Sequence, residues 1–451
     1  MSTPVPQRLF AWMLSDPMHP VLVGQVNRLS NGDVSLTYCN AWAASGFALS
    51  EDMPLGINEY LPTHRAARQT AAPGALDDAR PDQWGEKVIR YLHKPPNHLF
   101  EYLYFAGDDR FGALGISSSD QAYTPHPTHA LPRLSDAQRI SDVAAIIQQG
   151  GALDAQQRLL AAADASLGGA KPNAVIAIDG QQWVLKLCNA EAVAEAVDQP
   201  LVEHATMTLA AMAGIKVAQT MPVRLLAEHA VAIKRFDRIG TQRLHCVSAA
   251  TVLRAETPTG QMPQYGYPQL ARVLRRFADV DTLSHQLLDL FRRMVFNILI
   301  ANTDDHEKNH SLIFRYSSAP GTSSKRGNTT VLELSSAYDI VPTGSGATRH
   351  QFLIGEDTAE PSLHAAMGVC AQFDLVAHRA AQEVARLVEV VGTWQAHYRK
   401  CGVTQRDIDE LKPVIDRDDL LAQRASFSAA SYSGAPSPRA KRPRGRSGPF
   451  A

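Results

Sequence analysis

Short apolar runs with strand-like alternation dominate this chain up to about residue 238, and helical periodicity dominates beyond it. Val21 to Val26 and Val34 to Tyr38 read as strands, with Asn31-Gly32 as the turn between them. Asp77 to Tyr91 is expected to be a helix that puts Trp84, Val88 and Tyr91 on one face. Residues 117 to 135 are rich in Ser, Pro and His without an apolar period and read as a linker, and a helix is expected from Ser135 to Gln149. Two apolar runs, 174–178 and 181–187, flank Asp179-Gly180, the strongest short-range signal for a β-hairpin. A helix over Ala190 to Ala213, closed by Gly214, precedes a second strand pair at 223–226 and 230–233.

Beyond that point a helix is expected over Tyr267 to Asp279, and another capped by Ser284. The second gathers Leu287, Leu288, Phe291, Met294, Val295, Ile298 and Leu299 on one face. Strand-like runs at 311–316 and 330–334 flank a polar insert, Ser317 to Thr329. Residues 360 to 425 read as mainly helical, with Phe373, Val376, Ala380, Val384, Leu387, Val391 and Trp394 as their core face.

A length of 451 residues leaves room for two or three domains. The 45% apolar content is that of an ordinary soluble protein, and the net charge of -1 gives no argument for a nucleic acid or membrane as a bulk partner. The five cysteines (39, 188, 246, 370 and 401) are scattered and form no CxxC pair. That argues against a disulfide framework or a zinc site and fits a reducing cytoplasm. The start lacks the apolar stretch of a signal peptide, and no apolar run is long enough to span a membrane. From Ser426 on, Ser, Ala, Pro and Gly give way to Arg439, Lys441, Arg442, Arg444 and Arg446, which reads as a disordered basic tail.

The chemistry concentrates in Ile300 to Ser311, I-A-N-T-D-D-H-E-K-N-H-S, directly after the strongest apolar helix. Asp304 precedes Asn309 by five positions. In phosphoryl transfer an Asp directs the attacking hydroxyl, and an Asn five residues on turns back to hold a metal ion on the phosphates. Two other readings stand beside this one: a solvated loop, or metal ligation by Asp304, Asp305, His306 and His310. Gly168 and Gly169 would let backbone N–H groups approach phosphates, or form an ordinary turn. Lys186 lies between Leu185 and Leu187, where an ammonium needs a negative partner unless that strand face is exposed. Glu203, on the following helix, is such a partner, with Glu191 and Glu195 as rivals. Lys234-Arg235-Phe236-Asp237-Arg238 falls where a kinase hinge would meet adenine, or is simply a charged turn. Asp339, just past the second of the later strands, is placed like a metal-binding Asp, or like a helix N-cap.

Together these segments resemble the HipA family, the serine/threonine kinase toxins of bacterial type II toxin–antitoxin modules. The resemblance runs over nearly the whole chain to about residue 400. Its most specific part is N-T-D-D-H-E-K-N-H-S, similar to the family's T-D-x-H-x-K-N-x-S loop. Ser166-Leu167-Gly168-Gly169-Ala170-Lys171, Lys186-Leu187, Glu203, R-F-D-R at 235–238, Y-D-I at 338–340 and the N-terminal G-D-D-R-F-G-A-L-G follow in family order. The resemblance implies Asp304 as catalytic base and Asn309 and Asp339 as ligands of Mg²⁺. It implies ATP contacts from Gly168, Gly169, Ala170, Lys171, Lys186, Glu203, Arg235, Phe236 and Asp237, and autophosphorylation at Ser166. It also implies a protein substrate with a Ser or Thr acceptor and a small DNA-binding, HipB-like antitoxin through which any DNA contact is made. Lys234 stands where a well-known member has an acid, Pro172 removes one N–H donor from the glycine-loop segment, and the basic tail is extra.

The expected architecture is α/β (α+β): a bilobal protein-kinase-like fold with an extra N-terminal mixed α/β subdomain and a mainly helical C-terminal lobe. Its parts are residues 1–120, an N-lobe with the glycine loop at 135–238, a catalytic lobe at 239–425, and the tail at 426–451. The expected function is ATP-dependent transfer of phosphate to protein Ser or Thr. The alternatives are a small-molecule phosphotransferase, a non-catalytic nucleotide-binding subunit acting through a DNA-binding partner, and the metal hydrolase, which leaves Lys186 and Asp339 unexplained.

Overall fold

The computed structural model describes residues 5–63, 70–93, 96, 98–126, 130–162, 171–188, 197–257, 261–316, 330–343, 349–355 and 360–432. The N-terminal region is built on an antiparallel sheet of five strands: β1 (Leu9–Met13), β2 (Val21–Arg28), β3 (Val34–Tyr38), β4 (Glu59–Tyr60) and β5 (Leu114–Ser117), in the order β4-β3-β2-β1-β5. Gly24 of β2 lies against the Thr37–Tyr38 backbone of β3. A Cβ there would sit 2.1 Å from the Thr37 carbonyl oxygen, so only glycine keeps the ladder intact. The helix expected over Asp77 to Tyr91 is two helices, Gly74–Asp78 and Gln83–Leu92. Pro81 lies between them, and its ring and missing N–H forbid one continuous helix.

A second antiparallel sheet follows: β6 (Asn173–Ile178), β7 (Gln181–Lys186), β8 (Thr220–Arg224) and β9 (His229–Lys234), in the order β6-β7-β9-β8. The β6–β7 turn is Asp179-Gly180, both with left-handed φ (49° and 73°), as an Asp-Gly hairpin turn requires. The helix Gln199–Met212 packs on this sheet. Asp198 caps it by accepting from the Leu201 N–H, and Gly214 ends it at φ 72°. The expected start at Ala190 falls outside the described residues.

The short pair β10 (Arg238–Ile239) and β11 (Gln242–Arg243) leads into the third sheet: β12 (Cys246–Ser248), β13 (Ser311–Tyr316) and β14 (Thr330–Leu334). Around it stand helices, among them Tyr267–Phe277, Val280–Leu299 and Ala377–Val391. Val280–Leu299 starts earlier than expected: Asp279, not Ser284, is its cap, its carboxylate accepting from the Asp281 N–H. Leu287, Phe291, Met294, Val295, Ile298 and Leu299 are buried on that helix as expected. In the later helices Val376 is the exception on the expected core face. It is 49% exposed because it stands at the N-cap, before the helix meets the core. Residues 426–432 were expected to belong to the tail. They instead finish the Asp418–Ser426 helix and form a 3-10 turn, with Phe427 stacked on Tyr432 at 5.9 Å. The tail's basic residues lie outside the described ones. Among the described residues no helix is long and apolar enough to cross a membrane.

Candidate active site

The end of the Val280–Leu299 helix delivers the polar loop. Ala301 takes a left-handed φ of 54°, which turns the chain out of the helix and sends residues 302–310 along the sheet. His306 caps the 3-10 turn Glu307–Asn309, its Nδ1 accepting from the Lys308 N–H at 3.2 Å. The Tyr338 hydroxyl donates to the Lys308 carbonyl at 2.7 Å and lies 2.6 Å from the Ser311 hydroxyl. So the residue before Asp339 is tied to the chain on both sides of Asn309, at Lys308 and at Ser311.

Asp339 is not a helix N-cap. It has φ 58°, a conformation Asp tolerates better than most residues and one that clusters at functional sites. Its carboxylate pairs with the Lys186 ammonium, which also donates to Glu203 Oε1 at 2.7 Å. The side chains of Lys186, Glu203 and Asp339 are 23%, 7% and 39% exposed, so the pairing runs from the core out to an opening. Burial alone would drive Lys186 toward neutrality, but Asp339 and Glu203 outweigh it and raise its pKa. Burial raises Glu203, whereas Asp339 is held below the usual carboxylate value because Lys186, helped by Lys171 and His306, outweighs its burial. The structure thus brings together Lys186, Glu203 and Asp339, within electrostatic reach of Lys171 and His306. Of the rivals to Glu203, Glu191 and Glu195 lie outside the described residues, as do Ser166, Gly168, Gly169 and Ala170.

The hinge divides in two. Phe236 is half-buried and stacks on Tyr338, with ring centroids 5.4 Å apart, which sets it beside the segment that carries Asp339. Arg235 and Asp237 point elsewhere. Arg235 grips Asp237 through Nε and Nη2 at 2.9 and 2.8 Å. The same guanidinium donates to the carbonyls of Asp109 and Arg110 at 2.8 and 2.6 Å. Asp237 also accepts from the Gly112 N–H at 2.8 Å and pairs with Arg238. Burial works against the Asp237 carboxylate, but Arg235 and Arg238 overcome it and hold its pKa far down. These side chains fasten the N-terminal region to β9, so their charges are spent there.

Asp304 and Asp305 have opposite surroundings. Asp305 is buried, accepts from the Tyr267 hydroxyl at 2.5 Å and meets His310 Nε2 at 3.2 Å. Its pKa is lowered because His310 and Tyr267 outweigh burial. The metal-hydrolase reading therefore loses Asp305 and His310, which pair with each other inside the core. Among the described residues no three His, Cys, Asp or Glu side chains cluster to hold a metal by themselves. Asp304 is exposed and accepts from Gln351 Nε2 at 2.7 Å. Asn309 is buried at 8%. Asn309 and Asp339 offer amide and carboxylate oxygens, the donors of a hard cation that keeps company with phosphates. Sequence reasoning missed Gln351, Tyr338 as a tie, and Lys308, whose ammonium reaches Asp82 of the N-terminal region at 3.2 Å. Tyr338 and Lys308 lie inside the Y-D-I and T-D-x-H-x-K-N-x-S segments, which do not mark these contacts, and Gln351 carries no periodic or motif signal.

Two family models match this chain: the HipA N-terminal domain over residues 18–117 and the HipA-like C-terminal domain over residues 165–397. The chain belongs to the HipA family. Among its relatives in Sinorhizobium fredii (strain NGR234), "Putative kinase Y4dM" is 31% identical over 193 residues, 40% of this chain and 40% of that one. "Putative kinase Y4mE" is 24% identical over 320 residues, 65% of this chain and 71% of that one. The match thus spans less than half of the first relative's length. Among solved structures, HipA of the Shewanella oneidensis MR-1 toxin–antitoxin system, in complex with HipB and its operator DNA, superposes with a TM-score of 0.60 at 16% identity. That superposition covers 93% of this chain and 97% of that one, so the HipA fold extends over both regions, with the bilobal kinase-like arrangement expected from the sequence.

Proposed function

We propose that this HipA-family chain is an ATP-dependent serine/threonine protein kinase, the toxin of a toxin–antitoxin pair. The observation that carries the reading is Lys186 held between Glu203 and Asp339. A lysine on a β-strand paired with a glutamate from the following helix is the device by which kinase-like folds aim an ammonium at ATP phosphates. In this reading Glu203 keeps Lys186 in place while Asp339 exchanges the ammonium for Mg²⁺, shared with Asn309. The metal would neutralise charge on the phosphates. Lys171, whose charge acts on Asp339, would meet the phosphates, Phe236 borders the place for adenine, and Asp304 orients the acceptor hydroxyl and takes its proton. Glycine-loop contacts from Gly168, Gly169 and Ala170, and self-phosphorylation at Ser166, complete the proposal.

The relatives' names support a kinase, and the likeness to a HipA solved with HipB and operator DNA supports a small DNA-binding antitoxin as partner, with DNA reached through it. The test is intact-mass measurement after incubation with Mg·ATP, beside Asp304→Ala. A gain of phosphate mapped to Ser166, absent in the variant, is the expected outcome. ATP bound but no phosphate on either protein, and none on an added protein substrate, would reject the kinase in favour of a nucleotide-binding subunit.

A further inference from the structure

We infer that Gln351 is a positioning residue for Asp304: its side-chain amide fixes one carboxylate oxygen and leaves the other to meet the acceptor hydroxyl. This rests on the kinase reading and adds to it a residue outside the family-like motif. An ionised carboxylate only accepts, so the 2.7 Å contact to Asp304 Oδ1 is an N–H donated by Gln351. A hydrogen bond to a charged group is among the stronger ones, and a carboxylate with one oxygen held has few orientations left.

Gln351 is itself held in place. Its backbone N–H donates to the Thr303 carbonyl at 3.3 Å, and the next residue's N–H donates to the Asp305 carbonyl at 2.9 Å. That next residue, Phe352, is fully buried, with its ring 4.7 Å from His310 and 4.9 Å from Tyr267. Tyr267 in turn donates to Asp305 and is bonded through its own N–H to the Leu353 carbonyl at 3.0 Å. The segment 351–353 therefore runs along residues 303–305, pinned on either side of Asp304. On the other flank, the Asp304 N–H donates to the Thr343 hydroxyl at 3.3 Å. Gln351 and Asp304 are both exposed, so this hydrogen bond adds little to the stability of the fold and leaves the carboxylate open to a substrate. A donor placed there acts on the orientation of Asp304 more than on the folding of the loop.

The experiment compares the full chain with Gln351→Leu, Gln351→Glu and Asp304→Ala. The rate of phosphate transfer from Mg·ATP to the chain itself is followed by intact mass against ATP concentration, with Mg·ADP affinity by calorimetry and thermal melting alongside. Gln351→Leu removes the donor, and Gln351→Glu replaces it with a like charge. The expected result is a maximal rate lowered roughly tenfold to a hundredfold in Leu and further in Glu. The ATP concentration for half-maximal rate, Mg·ADP affinity and melting stay at wild-type values. A wild-type maximal rate in Gln351→Leu, while Asp304→Ala is dead, overturns this inference alone. Parallel loss of Mg·ADP affinity or of melting temperature also overturns it, because it makes Gln351 a structural residue. No transfer by the wild type, either to itself or to an added protein substrate, overturns the kinase reading and this inference with it.

Discussion

Lys186 Nζ stands 2.7 Å from Glu203 Oε1, joining a β-strand to the helix that packs on it, and the same ammonium reaches on to Asp339. Two carboxylates share one cation at the junction of three elements. Neither acid is redundant. Glu203 is the buried anchor, whereas Asp339 is the exposed partner that a metal would claim.

Glu203→Ala is therefore expected to leave the ammonium with Asp339 alone. Breaking one side of a buried charge pair costs about 3–5 kcal/mol, but the surviving partner and the partial exposure of Lys186 reduce this to about 1–2 kcal/mol. Urea unfolding measures that loss. Calorimetry is expected to show Mg·ATP binding weakened about tenfold, because Lys186 is then misplaced and Asp339 occupied. Unchanged affinity would mean that Glu203 has no part in aiming Lys186.

Asp237 presents the contrasting case. It lies among Arg235, Arg238 and the Gly112 N–H, all buried, and its partners bridge β9 to the N-terminal region. Asp237→Ala leaves two buried guanidinium groups facing each other, with an expected loss of about 3–5 kcal/mol. The measurement is chemical denaturation. If Asp237 were instead a nucleotide ligand, the variant would lose ATP affinity while keeping its stability.

The difference between these two acids shows what the sequence discloses. The Lys186–Glu203 pairing was legible because an ammonium in an apolar strand demands a partner and a helix supplies one nearby in sequence. The role of Asp237 was not, because Arg235 and Arg238 beside it answer its charge while the cluster they form is fastened to the backbone of residues 109–112, more than a hundred positions away, and no local pattern marks such a contact. The strands and the Asp179-Gly180 hairpin were readable from alternation and turn chemistry. The break at Pro81 was in the sequence but was overridden by the spacing of Trp84, Val88 and Tyr91. Asp305 and His310 looked like ligands because nothing in sequence distinguishes a buried pair from an open one.

Tyr267 tests that last point. Its hydroxyl donates to Asp305 and accepts from Asn297 Nδ2 at 2.8 Å, and Asn302 Nδ2 continues the chain to Asn297 Oδ1 at 3.2 Å. Tyr267→Phe leaves Asn297 and Asp305 each short of a partner in the core, at an expected cost of about 1–3 kcal/mol. Denaturant titration reads it directly. A variant as stable as the wild type would show that this buried network does not hold the loop beneath Asp304.

Two other buried groups give the fold a pH dependence with a definite sign. His350 is 2% exposed, with no hydrogen-bond partner on either ring nitrogen among the described residues, and His245 is equally buried, with Nε2 2.7 Å from the Leu49 carbonyl. Burial pushes both down to about 4, against the opposing pull of Asp305 on His350 and of the Leu49 hydrogen bond on His245. In the unfolded chain a histidine takes its proton near pH ~6.5. Between these values the unfolded state binds more protons, so stability is fully present above about pH 6.5 and is lost as pH falls toward about 4. Each unit of that window is worth about 1.4 kcal/mol per histidine as an upper value. Carboxylates with lowered pKa, such as Asp237 and Asp305, act in a separate window below the ordinary carboxylate range. Urea unfolding across the range is expected to show the wild type losing stability with falling pH more steeply than His350→Phe, which cannot take up that proton in either state. Curves that stay parallel would mean that His350 takes up its proton as readily in the folded chain as in the unfolded one, with the Asp305 charge fully offsetting its burial.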